Sequence, residues 1–85
     1  MNDVLLLKMM GSETKYKILN VLRKGEKCAC EIPELIGTTQ SNTSMQLQEL
    51  ARNHVIEARR DGKKMIYKIK EPRILKIFKA IKVET

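Results

Sequence analysis

Aromatic residues are nearly missing from this chain: two Tyr, one Phe and no Trp among 85 residues. Any core must therefore be aliphatic, and single-stranded nucleic acid finds no stacking platform. Cysteine is limited to Cys28 and Cys30, too few for a disulfide framework. No apolar run approaches the roughly 20 residues of a membrane span. "VLLL" is too short for a signal-peptide core, and Asp3 stands where basic residues would precede one. A cytoplasmic protein with no membrane partner is expected, its thiols reduced by default. There is no Gly-rich phosphate loop, no His-Glu-x-x-His motif and no cluster of carboxylates. A cysteine nucleophile would need a positioned His, and the only His, His54, is expected at the far end of a helix from both cysteines. The chain does not read as an enzyme.

What is present is ordinary for one small globular domain: 42% hydrophobic and 32% charged residues. A chain this short buries a limited core, which makes self-association plausible. The net charge is +7 and lies wholly in the second half. Residues 1–50 carry six basic and six acidic side chains, whereas residues 51–85 carry eleven basic and four acidic ones. Such an excess suits a polyanion, most simply nucleic acid. A merely solvated basic face is the plain alternative.

The order of segments sharpens this. "NDVLLLKMM" reads as a short helix interrupted at Gly11, with Ser12 as N-cap of the next. That helix places Ile18, Leu19, Val21 and Leu22 on a buried side and should stop by Gly25. "CEIPELI" reads as a short helix with Pro33 in its first turn, ended by Gly37. "TTQSNTSMQLQELARN" follows, capped by Thr38 or Thr39, with Thr43, Leu47 and Leu50 on one face. Its other face carries Gln40, Ser41, Ser44, Met45 and Gln48, with none of the Lys and Glu usual on a solvated helix. In "VIEARRDGKKMIYKIK", Asp61-Gly62 between β-prone runs signals a hairpin, its tip flanked by Arg59, Arg60, Lys63 and Lys64. Met65, Tyr67 and Ile69 alternate as in a half-buried strand. Pro72 can open a final helix, with Ile74, Ile77, Phe78 and Ile81 on one face and Leu75 beside them.

The expected fold is mainly α with a small β-hairpin, ordered α-α-α-α-β-β-α as one winged helix-turn-helix domain over 1–85. A polar-faced helix fits the DNA major groove, and a cationic wing reaches phosphate. We expect Gln40, Ser41, Asn42, Ser44, Met45 and Gln48 near base edges. Thr39, Arg59, Arg60, Lys63 and Lys64 are expected at phosphate or sugar.

Several segments resemble one family, the arsenic-repressor (ArsR/SmtB) winged-helix regulators: "MMGSETKYKIL", "CACEI", "TQSNTSMQLQEL" and "ARRDGKKMIYKI". The resemblance implies a double-stranded-DNA-binding transcriptional regulator, a repressor by function. It also implies a homodimer joined through its terminal helices, here about 2–10 and 72–82. "CACEI" stands where the family has a Cys-x-Cys inducer box. Gln46 replaces a frequent His, and His54 replaces a Gly at the turn into the wing, a structural role rather than a metal-ligand one. The third Cys of arsenic sensors is replaced by Pro33, and the His and Asp of zinc and nickel sensors are absent from "PRILKIFKAIK".

Three readings of Cys28 and Cys30 stay open: a dithiol site for trivalent arsenic or antimony as inducer, with no cofactor required; a redox switch; or a packing pair. On an extended segment their side chains point the same way, and Pro33 disfavours helix just before it. An ion held by both sulfurs would fix the start of the following helix, or unwind it if that helix ran through Cys28. Outside DNA regulation, an RNA-binding or a protein-binding winged helix remains. The scarcity of aromatics argues against the first, and the cationic wing with its polar helix against the second.

Overall fold

The computed structural model describes residues 2–81. Helix α1 (Asp3–Met10) is followed by α2 (Glu13–Leu22), strand β1 (Lys27–Cys28), α3 (Ile32–Ile36) and α4 (Gln40–Arg52). The hairpin β2 (Ile56–Asp61) and β3 (Lys64–Ile69) leads to α5 (Pro72–Ala80). This is the expected winged helix-turn-helix order with one addition. Strand β1 pairs antiparallel with β3, making a three-stranded sheet of order β1-β3-β2. A two-residue strand has no periodicity of its own to be read from sequence. Residue 82, the expected end of the last helix, lies outside the described residues.

Local chemistry sets the helix ends. Asn2 caps α1 through a side-chain bond from the Leu5 N–H at 2.8 Å. Ser12 occupies the N-cap position of α2, but its side chain makes no capping bond. The helix closes at Leu22, before Gly25, which takes φ +145° in the turn that follows. Pro33 lies in the first turn of α3, and Gly37 ends it in the left-handed region. Pro72 opens α5 behind Glu71, whose carboxylate accepts from the Arg73 N–H at 3.0 Å. The Arg73 guanidinium, 2.8 Å away, together with that N–H holds the Glu71 carboxyl down at about 2. The cap therefore stays ionised at neutral pH.

The core is aliphatic apart from Phe78. Leu6, Ile18, Leu19, Ile32, Leu47, Leu50, Val55, Ile56 and Ile74 pack into one cluster. Phe78 brings α5 onto it, tilted against Tyr16 at 5.2 Å and lying under the Arg23 guanidinium at 5.4 Å. Of the expected stripes, Val21 and Ile77 are only partly buried, and Ile81 is exposed. On β3, Tyr67 and Ile69 reach the core as the alternation requires, whereas Met65 does not.

Positive φ recurs at the wing turn and at the turn into the wing. The wing turns through Gly62 and Lys63, with Asp61 still paired to Lys64 and Gly62 at φ +65°. The tight turn thus lies one residue later than Asp61-Gly62 suggests. His54, between α4 and β2, is the one described non-glycine residue at positive φ, at 62°, and it is exposed. This conformation explains why a Gly would suit the position. His54→Gly is expected to raise stability by on the order of 1 kcal/mol, and the β-branched His54→Val to lower it. Thermal unfolding followed by circular dichroism checks both. A lower melting temperature for the glycine variant would mean that the imidazole contributes more than its backbone costs.

Candidate nucleic-acid interface

The exposed side of α4 is set by what its other side buries. Thr43, Leu47 and Leu50 are fully buried on the core, as expected. Thr39 is the N-cap, its Oγ1 accepting from the Asn42 N–H at 3.0 Å. Thr43 Oγ1 donates to the Thr39 carbonyl at 2.9 Å, which makes a hydroxyl tolerable in the core. At the other end, buried Lys15 of α2 pairs with Glu49 at 3.3 Å, their side chains 11% and 44% exposed. This contact locks the rotation of α4 against α2.

Gln40, Ser41, Ser44, Met45 and Gln48 consequently face outward, Met45 with 60% of its surface exposed. Asn42 sits differently. It is half-buried, its Nδ2 donating to Thr38 Oγ1 at 3.0 Å and its Oδ1 accepting from Gln46 Nε2 at 3.2 Å. Gln46 belongs to this inward chain, and its Oε1 is buried without a hydrogen-bond partner among the described residues.

The wing basic residues also divide into two groups. Arg59 is held by Glu26 at 2.8 Å, with Asp61 4.0 Å away. The bond to Arg59 and its charge lower the Glu26 pKa, and the same contact raises that of Arg59. This pair joins the turn before β1 to β2, across β3. Arg60, Lys63 and Lys64 are exposed and make no ion pair among the described residues. The wing tip and the start of α4 adjoin, since Gln40, Ser44, Lys63 and Lys64 line one open cavity of about 250 Å³.

Cys28 and Cys30 line that cavity too. Cys28 is buried in β1, Cys30 is exposed, and α3 begins only at Ile32. No helix runs through Cys28, so an ion at the sulfurs would unwind nothing. The two are joined as a disulfide, their Cα atoms 5.1 Å apart, instead of standing as free thiols. The turn that follows Cys28, closed by the Glu31 N–H donating to the Cys28 carbonyl at 2.9 Å, brings the two sulfurs together, a local geometry that an expectation based on cellular compartment leaves out. The loop is tied to the wing by the Ala29 N–H, which donates to the Met65 carbonyl at 2.9 Å. The Cys28 N–H is accepted by Glu31 Oε2 at 2.8 Å.

The profile of the family described as "Bacterial regulatory protein, arsR family" matches residues 12–56, from α2 through α4 to the start of the wing. The chain belongs to the ArsR family. It is 34% identical over 65 residues to a probable mercury resistance operon repressor of Streptomyces lividans, covering 76% of this chain and 52% of that protein. To the arsenical resistance operon repressor of Staphylococcus aureus it is 31% identical, covering 75% and 62%. The chain thus spans about half to three-fifths of the length of these curated relatives. Among solved structures, the AntR antimony-specific transcriptional repressor superposes with a TM-score of 0.82 at 29% identity, covering 91% of this chain and 70% of that one. The homodimeric winged helix-turn-helix domain of Mb0332 from Mycobacterium bovis superposes at 0.77 and 25% identity, covering 96% and 84%. Within this ArsR chain, the match includes the Cys28–Cys30 loop and all of α4.

The Lys15–Glu49 pair gives a direct test of what orients α4. Glu49→Ala leaves a buried ammonium without its partner and is expected to cost about 1–2 kcal/mol, whereas Lys15→Met should cost less. Chemical denaturation of both variants measures this, and equal losses would remove the pair from the account.

Proposed function

We propose that this chain is a sequence-specific double-stranded-DNA-binding transcriptional regulator, acting as a repressor. The observation that carries this reading is the adjacency of two unlike surfaces. The uncharged, hydrogen-bonding face of α4 stands beside Lys63 and Lys64 of the wing, which make no ion pair among the described residues. Amides and hydroxyls on a helix can pair with base edges in the major groove, and cations beside it hold the backbone. Gln40, Ser41, Ser44, Met45 and Gln48 would read bases. Arg60, Lys63, Lys64 and the Thr39 hydroxyl would meet phosphate. Arg59, engaged by Glu26, and Asn42, engaged by Thr38 and Gln46, would support the interface rather than form it.

The working unit in this reading is a homodimer. Val4, Leu7, Leu75 and Ile81 are exposed apolar side chains on α1 and at α5. An apolar groove of about 340 Å³ between the two helices is lined by Leu6, Leu7, Ile77 and Ala80. A second copy would cover these side chains and place two α4 helices on one duplex. The homodimeric Mb0332 domain supports a dimer, though not a particular interface.

Cys28 and Cys30 would be the inducer site. Their sulfurs are adjacent, one is solvent-exposed, and both open on the cavity between α4 and the wing. As the reduced dithiol they fit a thiophilic ion such as trivalent arsenic or antimony, which thiolates bind strongly. The relatives named for arsenic and antimony support that ligand class. The disulfide favours a second reading, in which oxidation and reduction of the pair are themselves the signal.

DNA-binding variants separate reading from holding. On duplex DNA from the upstream region of its own gene, Arg60→Ala should weaken binding to specific and random sequences alike. Gln40→Ala should weaken the specific complex more, by about 1–3 kcal/mol. Fluorescence anisotropy measures both, and equal losses on the two DNAs for Gln40→Ala would remove it from the base-reading set. Trivalent arsenic added to the reduced protein should lower DNA affinity about tenfold to a hundredfold. The Cys28→Ser/Cys30→Ser variant should bind DNA and ignore arsenic. Release by oxidant but not by arsenic would select the redox reading.

A further inference from the structure

Trivalent arsenic and antimony form three bonds, and this chain offers two thiols. Pro33 lies three residues beyond Cys30. No group of three or more His, Cys, Asp and Glu side chains able to hold a metal exists among the described residues. The nearby acid, Glu31, already accepts from the Cys28 N–H. The third bond must then come from outside the chain, and the surroundings of the sulfurs indicate what kind of ligand fits. The cavity of about 250 Å³ on which Cys28 and Cys30 open carries Lys63 and Lys64 on its wing side and Gln40 and Ser44 on its α4 side. Both lysines are exposed and lack a carboxylate partner among the described residues. A ligand leaving the sulfurs in this direction meets two uncompensated positive charges.

We propose that the site is completed by a small anionic thiol, with carboxylates held by Lys63 and Lys64, and that this ligand releases DNA by occupying the space and the cations that the DNA backbone requires. The inference rests on reading Cys28 and Cys30 as the inducer site. The chemistry balances without an external oxidant. The disulfide is first reduced by two equivalents of the small thiol, which leave as their own disulfide. Arsenous acid then exchanges its three hydroxyls for the two cysteine thiols and one small thiol. Three As–S bonds form, three waters leave, and arsenic keeps its oxidation state. Release needs no rearrangement of α3, because the phosphate and the thiol carboxylate compete for the same two lysines.

The test uses the full reduced chain, trivalent arsenic and two thiols of different charge: dianionic mercaptosuccinate and neutral 2-mercaptoethanol. Arsenic affinity is read without DNA from the As–S ultraviolet absorption. Mercaptosuccinate should tighten binding about tenfold over 2-mercaptoethanol at low salt, a difference that fades as salt rises. Lys63→Gln/Lys64→Gln should erase the difference while leaving binding with 2-mercaptoethanol intact. Equal affinity with the two thiols, or a difference that survives in the double variant, sinks the anionic subsite. Bound duplex DNA should slow alkylation of Cys30 by iodoacetate, and an unchanged rate sinks the shared cavity. If arsenic binds with neither thiol, the inducer reading itself fails and takes the subsite with it.

Discussion

The seam of Thr43, Leu47 and Leu50 is the constraint on which the rest of the surface depends. These three are the fully buried side chains of α4, and they lie at spacings of four and three. Successive residues on a helix are about 100° apart, so a one-residue rotation would bury Ser44 and expose a leucine. The core enforces the rotation by excluding polar atoms. The Thr39 cap and the Lys15–Glu49 contact enforce it from the two ends. Which side chains α4 offers to a partner is therefore decided by packing, before any partner is present. The Asn42–Gln46 chain shows the boundary: one turn inside the outward face, amides are already spent on internal hydrogen bonds.

The wing is positioned by β3, which lies between its two neighbours. Cys28 and Arg59 both pair with Ile66, one from each side. Glu26, two residues before Cys28, reaches Arg59 by an ion pair that spans the sheet. Being exposed, this pair adds little stability. Its effect is to take one wing arginine and one acidic residue out of the field presented to a polyanion. What remains at the tip is Arg60, Lys63 and Lys64, held on a hairpin whose register is set from both edges. The positive half of the chain thus becomes a directed patch.

Much of this was legible in the sequence because it follows from periodicity and turn chemistry. The helices, the hairpin, the buried seam of α4 and the Thr39 cap follow from spacings of three and four, a Gly-containing turn and a capping hydroxyl. His54 as a replacement for Gly was legible too, and its positive φ is the physical reason. What was not legible rests on contacts between segments distant in sequence, or on geometry finer than a residue type. Strand β1 exists only because β3 pairs with it. Arg59 differs from Arg60 only because Glu26, 33 residues away, reaches it. Asn42 and Ser41 are neighbours of similar polarity, and only the rotation of α4 sends one inward and the other out. The bond between Cys28 and Cys30 likewise depends on the turn into which β1 leads.

That same two-residue strand explains why the cysteine pair is well placed to report on DNA binding. A signal at the sulfurs has three ways to reach the interface: through α3 into α4, through β1 into the wing, or across the cavity that both line. The first two require a packed element to move, and the coupling can be no larger than the difference in ligand affinity between its two positions. The route through β1 is short, since the Ala29 N–H already binds the Met65 carbonyl at the base of the wing. The route across the cavity is shorter still and requires no second conformation. Two ligands that need the same lysines exclude each other by occupancy, and the coupling is limited only by how tightly each one binds. A small domain with an aliphatic core has little stability to spare for a conformational switch. With the sulfurs beside the cations proposed to hold the backbone, such a domain would respond to a ligand while its fold stays as it is.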